Sequence, residues 1–465
     1  MVNIIQSIIL ELRPCFSRKA AFHWFIIIIL AFIIRCDHEG VTSFIRWLFI
    51  NPDSYDPMLR FFRATSWNLE TLLGYWVKIA IDRYPLIMFN GRPLLIGDGI
   101  KISKEAKKMP GVKSLHQDSE NSGKAKYIFG HHFGYVGLLV GGLTKAFCLP
   151  LQGQLHEGVE TIHPEKGLNG KPATLVTRMA NLVVEKAKQT GFLCYVTLDA
   201  YFAVGPAFLI FKAALNEKGE QLVHLIARAK SNYVGYSKPC ANQKRFQEKD
   251  KINLIDIFNS PELFKEVELT IYGEVKTIKY YFLHLLWRPT KDFINFVWII
   301  DGDGHYILMC SDLKLSAPEI ITIYSYRFKI EVMFLVLKHL LGGFCYHFWT
   351  KAFPKLKRGE KLTLSSFSES EQKKVRRTVE AIERFVNLAG IALGLLQYLS
   401  LTQTSLIWGS YYGWLRTCSS GFPSERVVQS VVRAEFFSPL SKVPICRTLQ
   451  LIFQRRRGSP LYLAM

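Results

Sequence analysis

No CxxC pair and no histidine cluster at zinc spacing occurs in the 465 residues, although nine cysteines are scattered at 15, 36, 148, 194, 240, 310, 345, 418 and 446. That odd, dispersed set argues against a disulfide framework or a zinc scaffold and reads as reduced thiols, most of them small core residues. Acidic residues are also scarce: 38 Asp and Glu stand against 59 Lys and Arg, a net charge of +21. Gly and Pro number only 32 and 19, which excludes collagen-like and low-complexity sequence, and there is no internal repeat. The hydrophobic share of 49% excludes intrinsic disorder. What remains is a globular basic protein, of roughly three structural units at about 150 residues each. Its charge favours a polyanionic partner, nucleic acid or an anionic membrane surface.

Apolar runs of bilayer length are missing or interrupted. Residues 20–34 lie between Lys19 and Arg35; as a helix they rise about 22 Å, against a hydrocarbon core of about 30 Å. Residues 385–415 are long enough, but Asn387, Gln397 and Gln403 interrupt them. Both runs are expected to be buried core helices, with no membrane span. No secretory signal is expected either, because no small-residue cleavage site follows the first run. The expected compartment is the cytoplasm.

Residues 1–90 read as helical, with apolar positions recurring at three and four. From Arg92 the pattern changes to short apolar runs: 93–97 ending on Asp98, then 127–140, 146–155 and 192–198 ending on Asp199, with a helical stretch at 173–188. Strands alternating with helices predict an α/β fold. A second helix is expected near 206–215. Residues 222–315 are rich in β-branched and aromatic alternation, with Asp301-Gly302-Asp303-Gly304 as a hairpin turn. Helices return at 320–341 and 368–399. The expected units are a helical region at 1–90, a core in two parts at 91–220 and 318–400, a β-rich insertion at 221–317, and a basic C-terminal region at 401–465.

Three carboxylates stand out. Asp98 and Asp199 each close a core strand, and Glu331 lies on the helix after Pro318. Carboxylates at strand ends and on a packed helix can converge to hold two divalent cations about 4 Å apart, the arrangement that serves phosphodiester chemistry. Tyr324, Arg327, Glu331 and Lys338 fall at offsets of 0, 3, 7 and 14, which at about 100° per residue places them in one stripe of roughly 60°. The rest of that helix is apolar, so the stripe is expected to look into a site. Lys104, Lys107 and Lys108 form a basic loop beside Asp98, suited to phosphate contact. His131 and His132 are adjacent, so a strand turns them to opposite faces and they cannot share one metal.

The spacing Tyr324, Arg327, Glu331, Lys338 resembles the YREK signature of bacterial insertion-sequence DDE transposases with an RNase H-like catalytic core. Residues 196–202 around Asp199 resemble their second-aspartate motif, and 95–101 around Asp98 the first, although Asp98 is flanked by glycines where many relatives carry Asp and Thr. The resemblance runs from about Arg92 to Lys355 and implies an RNase H-like mixed sheet flanked by helices, with a β-rich insertion and helical N- and C-terminal regions. It implies that Asp98, Asp199 and Glu331 bind two Mg2+ or Mn2+ ions, and that Tyr324, Arg327 and Lys338 hold the DNA backbone. It also implies that residues 1–90 bind transposon ends, that a Trp of the insertion stacks on a flipped base, and that the enzyme works as a homodimer on double-stranded DNA in the bacterial cytoplasm, near the nucleoid. Trp287 and Trp298 are the stacking candidates, Trp287 the more exposed by its loop context and Trp298 set among strand core residues. The alternatives are a catalytically inactive DNA-binding derivative and an integral membrane protein.

The charge is unevenly distributed: residues 321–465 carry +13 of the +21. The basic segments 351–361, 373–377 and 455–457 therefore predict a DNA path across the C-terminal third, weakened by salt.

Overall fold

In a computed structural model the chain is described at residues 1–104, 106, 108–117, 123, 125–142, 145–160, 162–237, 250–271, 273–302, 304–355, 364–416 and 421–437. Helices α1 (Val2–Glu11), α2 (Lys19–Ile34), α3 (Gly40–Leu48), α4 (Tyr55–Phe62) and α5 (Leu69–Arg83) lead into strands β1 (Met88–Phe89), β2 (Arg92–Ser103), β3 (Lys113–His116), β4 (Tyr127–Gly142) and β5 (Lys145–Leu155). Then come α6 (Leu175–Thr190), β6 (Cys194–Leu198), α7 (Gly205–Ala213) and β7 (Val223–Arg228). Six more strands follow: β8 (Val234–Tyr236), β9 (Lys251–Asn253), β10 (Lys265–Ile271), β11 (Glu274–Trp287), β12 (Asp292–Asp301) and β13 (Gly304–Cys310). The chain returns to helix in α8 (Ala317–Ser325), α9 (Lys329–His339), α10 (Glu369–Thr402), α11 (Thr404–Ser410) and α12 (Glu425–Phe437).

The fold is α/β, built on one mixed sheet of 13 strands among the described residues. Strand β2 pairs antiparallel with β4, and β4 with β5; on its other side β2 runs parallel to β6, and β6 parallel to β7. Strands β2, β4, β5 and β6 are those that the apolar runs from residue 92 predict. The insertion differs from expectation. Strand β7 falls inside the segment assigned to it but pairs with β6 of the core, and β13 adds directly to β7. The β-rich segment therefore extends the core sheet, because the outer edge of β7 would otherwise be left unpaired.

Alternation along β2 sends Gly97 to one face of the sheet, against Met179 of α6, and Asp98 to the other. The Asp98 face is covered by α9 and α10: Phe334 of α9 packs on Tyr135, the cross-strand partner of Asp98, and a Cβ at Gly390 of α10 would meet the Tyr135 hydroxyl.

Both long apolar runs lie inside the fold. Every residue from Phe25 to Ile34 of α2 is buried, and α2 packs on α10 and α12. Residues 1–90 thus share a core with the C-terminal helices. Helix α10 is long and apolar enough to cross a membrane, yet 83% of its apolar window is buried by the rest of the chain. Its polar interruptions have a specific role, because among the described residues β5 has no strand neighbour on its outer side. Asn387 takes the Gly153 N–H at 2.8 Å and donates to the Gly153 carbonyl at 2.7 Å, Gln397 donates to the Cys148 carbonyl, and Glu383 accepts the Leu155 N–H at 2.9 Å. The helix thereby closes a strand edge whose backbone groups would otherwise be buried without partners.

Glu383 bears the cost of that position. Burial pushes its carboxyl from 4.5 up to about 7, with Glu380 and Glu165 adding to the shift. A carboxyl raised in the folded state contributes stability below its unfolded value of 4.5, and this is lost as pH rises through about 7. Glu383→Gln, which keeps the acceptor for Leu155, is expected to raise the melting temperature at pH 8 and leave it nearly unchanged at pH 4; equal melting curves at pH 8 would contradict this.

Candidate active site

The parallel register pairs Leu94 with Tyr195, Leu95 with Val196 and Ile96 with Thr197. Continued by two residues, that register sets Asp98 of β2 opposite Asp199. Asp199 is the first residue after β6 and precedes a 3-10 turn at Ala200–Phe202, as a strand-terminal carboxylate should. Asp98 does not close its strand: β2 continues to Ser103 along β4. What ends near Asp98 is the pairing with β6, whose last partners are Ile96 and Thr197. The Gly99 N–H donates to Asp98 Oδ1 at 2.7 Å.

The expected helix at 320–341 is broken. Tyr324 lies near the end of α8, Arg327 in a 3-10 turn at Tyr326–Phe328, and Glu331 in the first turn of α9. Arg327 nevertheless reaches both carboxylates: Nη1 donates to Asp98 Oδ2 at 3.2 Å, and Nη2 donates to Glu331 Oε1 one helical turn away. Asp98 and Arg327 are largely buried, whereas the Glu331 side chain is 54% exposed.

Burial lifts the Asp98 carboxyl from 3.8 to about 6; Arg327 and the Gly99 N–H oppose the shift, and the charges of Asp199 and Glu331 add to it. Burial also works against the Arg327 charge, but Asp98, Tyr324, Glu331 and Asp199 outweigh it and hold the guanidinium above its usual range. The half-buried Tyr324 hydroxyl is pushed up by burial and further by Asp199. Asp98, Asp199, Glu331, Arg327 and Tyr324 therefore form one electrostatic cluster. Among the described residues no group of three or more His, Cys, Asp or Glu side chains is gathered tightly enough for a metal ion; the Arg327 guanidinium bridges Asp98 and Glu331.

Arg327 opposes a burial penalty that would remain in its absence. In Arg327→Met, studied with chelator present, the Asp98 carboxyl is expected to titrate above its native value of about 6. Carboxyl-carbon NMR with Asp98→Asn as the assignment control reads this directly, and a downward or absent shift would contradict it.

Several expectations change. Lys338 is exposed two turns beyond Glu331, as the stripe requires, but the apolar part of α9 is not all buried: Val332 and Leu335 are exposed at 38% and 61%. The helix buries only Ile330, Met333, Phe334 and Leu337, so apolarity did not place its polar stripe in a closed groove. Lys104 faces inward. Its ammonium donates to the Phe344 and Tyr346 carbonyls at 2.5 and 3.1 Å and sits over the Tyr346 ring, and burial pulls its pKa from 10.5 to about 8. It braces the segment after α9 and is not available to DNA. Lys108 is half-buried and Lys107 lies outside the described residues.

Neither tryptophan of the β-rich segment offers a free face. Trp287, expected in a loop, is the last residue of β11, 3% exposed and packed on Phe208 and Tyr233. Trp298 is fully buried, its indole N–H donating to the Leu254 carbonyl at 2.5 Å. His131 and His132 are both buried and part as alternation requires, His131 to Tyr346 and His132 to Glu157. The Asp301–Gly304 segment is a hairpin turn, with Asp301 and Gly304 paired.

One neighbour escaped the sequence. Arg228 ends β7, one residue beyond Ala227, which pairs with Leu198 next to Asp199. It is exposed, stands over the Tyr306 ring, and acts on the Tyr324 hydroxyl. Only the order of the strands reveals it, since nothing in the residues around 228 marks the site. No family model matches the chain, and no curated protein matches it.

Proposed function

We propose that the chain is a DDE-type DNA transposase with an RNase H-like core, which cuts transposon ends in a metal-dependent reaction and joins them to target DNA. The observation that carries this reading is the convergence on Arg327 of Asp98, from the central strand, and Glu331, from α9, with Asp199 level on the adjacent strand. Asp98, 229 positions before Arg327, and Asp199, 128 before it, both act on the Arg327 guanidinium beyond the last paired residues of β2 and β6.

The residues fit a divalent cation in their chemistry. Three carboxylates supply the hard oxygen donors that Mg2+ or Mn2+ takes, and the Asp98 carboxyl, raised chiefly by burial with Asp199 and Glu331 adding to it, is one whose ionised form a bound cation would favour. Asp98, Asp199 and Glu331 would hold the metal, which supplies an activated nucleophile and a counter-charge for the leaving oxygen. Arg327 holds Asp98 and Glu331 in place before DNA arrives; its fork-shaped guanidinium then suits the scissile phosphate. Tyr324 remains a neutral hydrogen-bond donor because its ionisation is suppressed. Lys338 and Arg228 extend positive charge from the cluster along the DNA backbone.

The partners in this reading are transposon ends and target DNA, held by a homodimer in the bacterial cytoplasm near the nucleoid. The test uses the DNA that flanks the coding region. Purified protein with Mg2+ is expected to nick that DNA at short inverted repeats, and chelator to prevent it. Absence of inverted repeats together with no cleavage would sink the reading.

A further inference from the structure

Two hollows meet at Trp349 and Lys351, one of them between α4, residues 347–351 and the first turns of α10. One, of about 520 Å3, is lined by Tyr55, Arg63, Trp349, Lys351, Lys374 and Arg377 among others; the other, of about 440 Å3, by Ala106, Lys108, Trp349 and Lys351. Trp349 and Lys351 belong to both, so the two form one groove with the indole at its centre.

The lining contains five Lys and Arg side chains and, among the described residues, no carboxylate. Trp349 is 49% exposed and Tyr55 38%, while Phe348 beside them is buried. The tryptophan is held by its backbone: Arg63 donates to the Trp349 carbonyl at 3.2 Å and stacks its guanidinium over Phe348, and the Thr350 N–H donates to the Lys108 carbonyl. Lys374 and Arg377, three apart on α10, share a helix face.

We propose that this groove binds a single-stranded stretch of nucleic acid, with an unpaired base stacked on Trp349 and the flanking phosphates on Arg63, Lys351, Lys374 and Arg377. A held, half-exposed indole offers a π-face that any base can use, and the Lys and Arg side chains lining the groove around it match a phosphate backbone. A stacked duplex keeps its base faces covered, and a bare phosphate makes no use of the indole. Together the aromatic face and the cations select an unpaired nucleotide. The use of DNA as the probe rests on the proposed function; the chemistry of the groove does not.

Fluorescence anisotropy of labelled (dT)10, and of a duplex of equal length, tests this with the full chain, W349L, W349F, K374A and R377A. W349L is expected to weaken (dT)10 binding by on the order of tenfold and to leave duplex binding unchanged. W349F retains most of the affinity, and K374A and R377A each reduce the logarithmic salt slope by about 0.7. Wild-type affinity in W349L overturns the proposal. So does an equal loss on single strand and duplex, or displacement of (dT)10 by equimolar inorganic phosphate. Cleavage of flanking DNA is scored beside binding. Trp349-dependent binding without cleavage overturns the proposed function and leaves the groove; cleavage with unaltered W349L binding overturns the groove alone.

Discussion

Glu331→Gln and Asp98→Asn are each expected to lower Mg2+-dependent cleavage of transposon ends by about three orders of magnitude or more, the scale on which loss of one member of a catalytic unit acts. Both substitutions preserve shape and an oxygen acceptor for Arg327, so the fold and the hydrogen bonds to the guanidinium can persist. What they remove is charge. At Asp98 that charge is already costly, since burial pushes the carboxyl up to about 6. Binding of the ends, measured by gel shift, is expected to change by less than about twofold, because phosphate contacts from Lys and Arg dominate DNA affinity. The double variant is expected to be no slower than either single one, since members of one unit are not additive. Unchanged cleavage in either variant would remove the assignment of that carboxylate.

Arg35→Met is expected to destabilise the protein by about 3–5 kcal/mol, as loss of a buried, fully engaged charge partner does. Arg35 follows α2 and is fully buried. Its Nε and Nη2 donate to the Leu341 carbonyl at 3.2 and 2.5 Å, Nη2 also to that of Gly342 at 2.9 Å, and Nη1 to that of Gly40 at 3.1 Å. Phe32 and Phe44 flank the guanidinium with ring centres 4.8 and 4.6 Å from Cζ. Met fills part of the space but takes the guanidinium donors from three carbonyls; that of Gly342 keeps the Cys345 N–H at 3.0 Å, whereas the Leu341 carbonyl loses both of its Arg35 bonds, and a buried group left without a partner costs about 1–3 kcal/mol. The contact ties α2 to the turn that ends α9, where Gly342 has φ +58° and a Cβ would crowd Arg35 and His38. Arg46→Met is the control: Arg46 is half-exposed in its pairs with Asp37 and Glu39, and its loss is expected to cost less than about 1 kcal/mol. Urea unfolding of both variants checks the contrast, and equal midpoints would refute the role given to Arg35.

Much of the architecture was legible because it depends on local pattern. The apolar runs at 127–140 and 146–155 became β4 and β5, the period at 173–188 became α6, and the Asp-Gly turn at 301–304 became a hairpin. The spacing of Arg327 and Glu331 also survived, since an i, i+4 contact needs only one turn of helix and tolerates the break at Tyr326–Phe328. The basic count could not be resolved in the same way. Lys104 is as basic as its neighbours in sequence, yet it is drawn inward by the carbonyls of Phe344 and Tyr346, more than 200 residues away. Nothing in the sequence marks Trp349, because its significance comes from Arg63 just after α4 and Lys374 on α10, which only folding brings beside it.

By itself the sequence determined the α/β class, the order of strands and helices along the chain, and the residue types available for chemistry. Periodicity and turn preference act within a few residues and can be read in one dimension. The tertiary structure alone decided which strands became neighbours. It thereby placed Asp98 level with Asp199, made β7 a core strand, and used Asn387 to close the edge of β5. It also decided which charges met water and which were buried, because both depend on packing and backbone hydrogen bonds between segments far apart in the chain.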